Sequence, residues 1–166
     1  MNRDEQDGYV MDAHGRIMAL DVGARRIGIA ISDGLGITAQ GLRTLERRNR
    51  PTDLETLRTL AAEHGVGRWL LGLPRHLSGD EGRQAVKVRA WGEALAAHTR
   101  LPVTYWDERL TTVEAGRVLT AAGSSLGQRK RAIDRLSAVI LLQSFLEASR
   151  PVPGNNDSEP PLPDWG

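Results

Sequence analysis

Apolar and polar residues follow two repeating patterns along the central part of the chain. Short apolar runs predict five strands, in "RIMALD", "RIGIAISD", "GITAQGLRTLERR", "RWLLGLP" and "LPVTYWDE". Segments with apolar residues three or four positions apart predict four helices, in "RPTDLETLRTLAAEHG", "SGDEGRQAVKVRAWGEALAAHT", "TTVEAGRVLTAAG" and "RKRAIDRLSAVILLQSFLEAS". The predicted element order is therefore β-β-β-α-β-α-β-α-α.

Local sequence signals predict where the helices begin and end. Thr52 with Glu55, and Ser78 with Glu81, have the spacing of a capping box, and Gly65 is expected to end the first helix. The last helix is apolar on most of its faces, which predicts that it is largely buried.

The order of elements predicts an α/β fold. The first two strands join through Gly23 as a hairpin, the first three run antiparallel, and the last two follow helices and join in parallel. The prediction is a mixed five-stranded sheet flanked by helices, as in the RNase H-like architecture. It occupies residues 16–150, between a disordered acidic leader at 1–15 and a disordered Pro-rich tail at 151–166.

Composition excludes several classes of chemistry. The chain has no cysteine, which rules out disulfides, thiol catalysis and Cys-ligated zinc and agrees with a cytoplasmic location. No apolar run is long enough to span a membrane, so no membrane partner is expected.

Charge is distributed unevenly. Residues 1–15 hold one of the 22 basic and four of the 21 acidic side chains, and residues 151–166 hold three acidic and no basic ones. Residues 16–150 therefore carry a net charge of +7, nearly all of the basic side chains being arginine. This pattern favours a nucleic-acid partner. The alternative explanation is a GC-biased genome, whose proteins are generally rich in arginine.

Carboxylates stand where strands end. Asp21 ends the first strand, Asp107 and Glu108 end the last, and Asp134 lies near the start of the final helix. Each acid alone could form a turn or favour a helix N-terminus. Together they predict a site for Mg²⁺ or Mn²⁺, because clustered carboxylates repel one another unless a hard divalent cation lies among them. Two such ions can activate water and stabilise the leaving oxygen of a phosphodiester.

Basic residues accompany these acids. Arg25 and Arg26 follow Asp21, and the glycine-rich "GLPRHLSGDEG" contains Arg75. Arg129 and Lys130 lie in "GSSLGQRKR", just before Asp134. All five are predicted to bind the phosphates of a nucleic acid, although a solvated turn or helix start would explain each of them singly.

Four segments resemble one known family: "MALDVGARRIGIAISD", "LLGLPRHLSGDEG", "WDERLTTVEA" and "KRAIDRLSAVILLQSFL". They resemble, in order and spacing, the YqgF/RuvX family of Holliday-junction-resolvase-like proteins in the RNase H superfamily, implicated in maturation of the 5′ end of pre-16S rRNA. The resemblance implies a metal-dependent nuclease that leaves a 5′-phosphate and a 3′-hydroxyl.

The resemblance also implies roles for individual residues. Asp21, Glu108 and Asp134 would be the catalytic metal ligands, with Asp107 as the reserve candidate, and Arg109 would position phosphate. Because side chains alternate along a strand, Asp107 and Glu108 are expected to face opposite ways. Only one of the two then needs to reach the metal.

Three other functions fit parts of the sequence. A Holliday junction resolvase acting on branched DNA would need a two-fold homodimer to cut two strands symmetrically. A non-catalytic nucleic-acid-binding factor in ribosome maturation or transcription would not depend on the carboxylates. An actin-like ATP-binding kinase begins with a loop similar to "DVGARRIGIAISD", but such kinases need a second, duplicated domain.

Overall fold

The computed structural model describes residues 15–74, 82–108 and 125–150. Its elements are β1 (Arg16–Val22), β2 (Arg26–Ser32), β3 (Ala39–Glu46), α1 (Arg50–His64), β4 (Val66–Leu73), α2 (Arg83–Thr99), β5 (Val103–Asp107) and α3 (Leu126–Ser149). Several predicted features lie outside the described residues. They are residues 1–14 of the predicted leader, the predicted tail, the predicted helix within residues 111–123, Arg75 and Arg109.

The five strands form one sheet in the order β3-β2-β1-β4-β5. The pairs β1–β2 and β2–β3 are antiparallel, and the pairs β1–β4 and β4–β5 are parallel. This arrangement confirms the predicted mixed RNase H-like sheet. Because β1, β4 and β5 run in the same direction, their carboxyl ends meet at one edge, and β1 lies at the centre.

Alternating side chains divide the core between the two faces of the sheet. Met18 and Leu20 of β1 pack in the larger cluster with α1 and α2, whereas Ile17 and Ala19 pack with α3. Asp21 continues the second series, so strand alternation places it on the face that α3 covers.

The tryptophans strengthen both parts of this core. Trp69 and Trp91 are buried in the larger cluster, and Trp106 packs in the smaller one. The ring of Trp106 meets that of Phe145 edge-on, with 5.5 Å between the ring centroids. The three tryptophans therefore serve the core.

The first helix begins earlier than its sequence signal predicts. Asn49 is the N-cap, and its side chain accepts a hydrogen bond from the backbone N–H of Thr52 at 2.9 Å. The predicted Thr52–Glu55 capping box is wrong, because Pro51 is suited to the first helical turn and the helix therefore starts before Thr52. Gly65 ends the helix in the left-handed conformation, with φ of 63°, as predicted.

The other two helices also begin at different residues from those predicted. Gly82 is the N-cap of α2, without a side-chain cap, so the predicted Ser78–Glu81 box does not mark this helix start. The pair itself lies outside the described residues. For α3, Ser125 and Gln128 form a capping box, so the helix starts at Leu126, three residues before the predicted start at Arg129.

The earlier start of α3 changes the position of its acid. Asp134 lies in the third turn, beyond the reach of the dipole effect at a helix N-terminus. The helix is also less buried than predicted: it buries a single face in its C-terminal half, through Ala138, Leu141, Leu142, Phe145 and Leu146. Its N-terminal half meets the sheet through polar groups and backbone.

No helix within residues 15–74, 82–108 and 125–150 has the length and apolar character needed to cross a membrane.

Candidate functional site

Two carboxylates meet at the edge where the parallel strands end. Asp21 lies near the end of β1, and Glu108 directly follows β5, with β4 between these strands. A Cβ atom added to Gly72 of β4 would lie 2.7 Å from Glu108 Oε1 and 3.1 Å from its Cγ. The Glu108 side chain therefore crosses β4 over Gly72, and its carboxyl group shares a hydrogen bond with that of Asp21.

Burial and like charge set the protonation of this pair. Burial raises the pKa of Glu108 to about 7, and the charge of Asp21, their shared hydrogen bond and the charge of Asp107 act in the same direction. Burial and the charge of Asp134 also raise the pKa of Asp21, while the bond from Glu108 lowers it. Each of the two carboxyl groups therefore holds a proton more readily than an isolated carboxyl group, and the proton belongs to the pair.

A third carboxylate reaches the site because α3 touches the sheet backbone. Gly28 of β2 pairs in register with Asp21 of β1. A Cβ atom added to Gly28 would lie 1.9 Å from the carbonyl oxygen of Asp134 and 2.4 Å from its carbonyl carbon. Only a glycine permits this approach, which brings Asp134 close enough for its charge to raise the pKa of Asp21.

An arginine holds the third carboxylate. Arg26 Nε donates to Asp134 Oδ2 at 2.8 Å, and the two side chains are 27% and 26% exposed. Arg26 thus belongs to the acidic cluster. Its contact with Asp134 was not predicted, because the two residues are 108 positions apart.

The two neighbouring acids at the end of β5 are not equivalent. Glu108 contacts Asp21, whereas Asp107 acts on the pKa of Glu108 through its charge. Trp106 of β5 packs with the cluster on the α3 side, so Asp107 follows on the alternate side of the strand and Glu108 returns to the α3 side.

The other predicted phosphate-binding residues differ in how exposed their side chains are. Arg25 is exposed in the turn between β1 and β2, Arg129 is partly buried, and Lys130 is exposed near the start of α3. Arg47 fixes the turn that carries Arg25: its Nη1 donates to the Gly23 carbonyl oxygen at 2.7 Å, and its backbone N–H donates to the Arg25 carbonyl oxygen at 2.9 Å. Arg47 was not among the predicted residues, because nothing local in the sequence marks that contact.

The donor set suits a hard divalent cation. Asp21, Glu108 and Asp134 offer only carboxylate oxygens, the ligands that Mg²⁺ and Mn²⁺ prefer, and the first two are buried enough to have raised pKa values. Among the described residues, no three acidic or histidine side chains are arranged as a formed metal site. Asp21 and Glu108 bind each other, and one oxygen of Asp134 binds Arg26.

Gly72→Ala should separate the function of the site from the stability of the fold. The new methyl group would meet the flexible end of Glu108, which can swing away, and would move its carboxylate from Asp21. We expect activity to fall about ten- to hundredfold while the melting temperature changes by only about 2–4 °C. Steady-state activity assays and thermal denaturation measure the two effects. Unchanged activity would contradict this account of Gly72.

The order and directions of the five strands define the fold class of this protein as RNase H-like. The chain belongs to the RuvX family, whose model, described as Holliday junction resolvase, matches residues 15–148.

Curated relatives cover most of the chain. A protein of Koribacter versatilis is 52% identical over 134 residues, which are 81% of this chain and 88% of the relative. One of Moorella thermoacetica is 50% identical over 132 residues, covering 80% and 94% of the two chains. Both carry the name "Putative pre-16S rRNA nuclease".

Solved structures of Thermus thermophilus RuvC are more distant. The protein alone matches with a TM-score of 0.47 and 10% identity, over 80% of this chain and 95% of RuvC. RuvC in complex with a Holliday junction substrate matches with a TM-score of 0.43 and 14% identity, over 81% and 96%.

Proposed function

We propose that this protein is a divalent-metal-dependent nuclease that hydrolyses phosphodiester bonds during maturation of the 5′ end of pre-16S rRNA, in the cytoplasm. The observation that carries the proposal is the meeting of Asp21, Glu108 and Asp134 at one edge of the sheet. The names of the relatives that are 50–52% identical support pre-16S rRNA as the substrate.

Asp21, Glu108 and Asp134 would hold Mg²⁺ or Mn²⁺, with Asp107 as the reserve ligand. When bound, such ions polarise the phosphodiester and lower the pKa of the attacking water. The three carboxylates belong to the end of β1, to the residue that follows β5 and to α3, which is seated on Gly28. These elements hold the ligands in place before the substrate arrives, which lowers the cost of ordering them.

The basic side chains would hold the substrate. Arg25, Arg26, Arg129 and Lys130 would meet phosphates beside the acidic edge, and we assign the same role to Arg75 and Arg109. Contacts of this kind fix the position of the nucleic acid without reading its bases. The carboxylates would then select the bond that is cut, because hydrolysis depends on them.

The description of the family model favours a second candidate function. A Holliday junction resolvase of this family would cut branched DNA at the same carboxylates. It would act as a two-fold homodimer, since two strands must be cut symmetrically. The substrate preference and the oligomeric state distinguish it from the first candidate.

Cleavage of labelled substrates tests both candidates. The substrates are a single-stranded RNA spanning the 5′ end of pre-16S rRNA, an RNA duplex and a four-way DNA junction, each with Mg²⁺, Mn²⁺ or EDTA. We expect the precursor RNA to be cut, with 5′-phosphate products, only where a divalent ion is present. Preferential cutting of the junction by a dimer would favour the resolvase.

Variants separate an enzyme from a binding factor. Asp21→Asn and Asp134→Asn should lose cleavage and still bind the RNA in a gel-shift assay, whereas Glu63→Gln, on the exposed side of α1, should behave as wild type. Cleavage that survives EDTA or Asp21→Asn would contradict the proposal. Binding without cleavage by the wild-type protein under every metal condition would identify a non-catalytic factor.

A further inference from the structure

Arg26 has two anionic partners available to it, one in the protein and one in a substrate. We infer that Arg26 is a positioning residue that pairs with Asp134 in the metal-free protein and moves to a substrate phosphate when a divalent cation binds Asp134, so that metal and nucleic acid bind cooperatively. The inference rests on the proposed function, because it needs a metal site that includes Asp134.

The ion pair with Asp134 uses one N–H donor of Arg26 and leaves the N–H donors of the terminal nitrogens available for a phosphate. Asp134 is bound by Nε, the guanidinium nitrogen closest to the main chain. A guanidinium has five N–H donors, and the two terminal nitrogens carry all but one of them. Arg26 can therefore turn toward a phosphate while its position in the strand stays the same.

The exposure of the pair suits an exchange of partners. The two side chains are each about a quarter exposed, at 27% for Arg26 and 26% for Asp134. A fully buried ion pair would be hard to break, because each charge would remain without solvent or a partner. At this exposure, water or an incoming ion can reach both groups.

The backbone beneath the pair is held independently of the side chains. The carbonyl of Asp134 is seated on Gly28, two residues after Arg26 and on the same face of β2. Arg131, one turn earlier in α3, is anchored to β3: its side chain pairs with Glu46 at 2.8 Å, and its carbonyl oxygen accepts from the Thr44 hydroxyl at 2.6 Å. The Asp134 carboxylate can therefore change partner without movement of the helix.

Charge balance couples the binding of a cation at Asp134 to the binding of a nucleic-acid phosphate by Arg26. Arg26 is a positive group in direct contact with an acidic cluster that also contains Asp21 and Glu108. A divalent cation held by Asp134 would supply that positive charge and repel Arg26, which then has a stronger preference for a phosphate. By linkage, a nucleic acid that draws Arg26 away must increase the affinity for the cation by the same factor.

Calorimetric titration of Mn²⁺ into the full chain tests the inference without measuring catalysis. It is carried out with and without a single-stranded phosphorothioate RNA whose integrity is verified afterwards. For wild type we expect the RNA to lower the Kd for Mn²⁺ about five- to tenfold, within the usual range of coupling between sites. Arg26→Gln should bind Mn²⁺ more tightly than wild type without RNA, by about threefold, and should show less than about a twofold effect of RNA.

Glu46→Gln is the matched control, because it removes the other side-chain ion pair between the β2–β3 hairpin and α3 and leaves Asp134 untouched. It should retain the Mn²⁺ affinity and the RNA effect of wild type. Arg26→Met is the second variant, to be used if Arg26→Gln does not fold; it has no charge to transfer from Asp134 to a phosphate, and we expect it also to lose most of the RNA effect.

The outcomes separate the two proposals. If wild type binds no Mn²⁺, the proposed function fails together with this inference. If wild type binds Mn²⁺ and the Arg26 variants match it in affinity and RNA effect, the inference alone fails. Equal changes in Arg26→Gln and Glu46→Gln would also overturn the inference, because general loosening of α3 would then explain both.

Discussion

Gly28→Ala is expected to destabilise the protein by about 3 kcal/mol, at the upper end of the cost of overpacking a core, and to abolish cleavage. An added Cβ atom would lie 1.9 Å from the carbonyl oxygen of Asp134, and that oxygen belongs to helix backbone, which cannot rotate away as a side chain can. The helix must therefore move off the sheet. Asp134 would move with it, so stability and activity should be lost together.

Urea unfolding and the cleavage assay measure these two losses. Gly41→Ala is the matched control, since Gly41 lies under the same helix and an added Cβ atom there would be 3.5 Å from Val139 Cγ2, an ordinary contact. The control should stay within about 1 kcal/mol of wild type, because its main effect is on the freedom of the unfolded chain. A Gly28→Ala protein as stable as the control would show that α3 does not depend on this contact.

Glu108→Gln is expected to reduce cleavage at least about a hundredfold and yet to make the metal-free protein more stable at neutral pH. Loss of a residue that merely orients a metal ligand typically costs about 10–100-fold, and Glu108 is proposed as a ligand itself. Its amide replacement keeps the shape of the side chain and the ability to donate to Asp21. It removes the charge that burial and the neighbouring acids make unfavourable.

The pH dependence of this gain follows from the raised pKa. The pKa of Glu108 is about 7 in the folded protein and 4.5 as its ordinary value, so the folded state binds the proton more tightly. The stabilising contribution of this proton is complete below about pH 4.5 and is lost as the pH rises through about 7. A shift of this size corresponds to about 3 kcal/mol. Access of solvent at the sheet edge reduces it to about 1–2 kcal/mol.

Urea unfolding in EDTA between about pH 5 and pH 8 measures the effect. Wild type should lose stability across this range, and Glu108→Gln should lose less, so the variant becomes the more stable protein near neutrality. Glu63→Gln, an exposed carboxylate outside the site, should follow the wild-type profile. Parallel stability profiles for wild type and Glu108→Gln would show that the charge of Glu108 does not destabilise the folded protein. Retained cleavage by Glu108→Gln would exclude Glu108 from the proposed metal ligands.

Much of the fold could be predicted from local patterns. Strand and helix periodicity identified every described element, because burial of one face imposes its period directly on the sequence. The direction of every strand followed from the order of the elements and from how they are connected. Helix starts were less predictable. The Thr52–Glu55 spacing resembled a cap, but Asn49 and Pro51 provided a better one a few residues earlier.

The candidate site was only partly predictable. Asp21, Glu108 and Asp134 stood out because acids at the ends of buried elements have no role in packing. Their partners did not stand out: Arg26 had the same sequence signal as Arg25, and Gly28 and Gly72 looked like ordinary strand residues.

Residue type and short-range period fix the order of the elements, the two-sided core and the set of acids available for chemistry. Long-range packing sets which acids meet, how closely the last helix approaches the sheet and which arginine joins the cluster. Those outcomes depend on contacts between residues far apart in the chain, such as Gly28 with Asp134 and Gly72 with Glu108. Ångström-scale packing sets these contacts, and no local pattern encodes it.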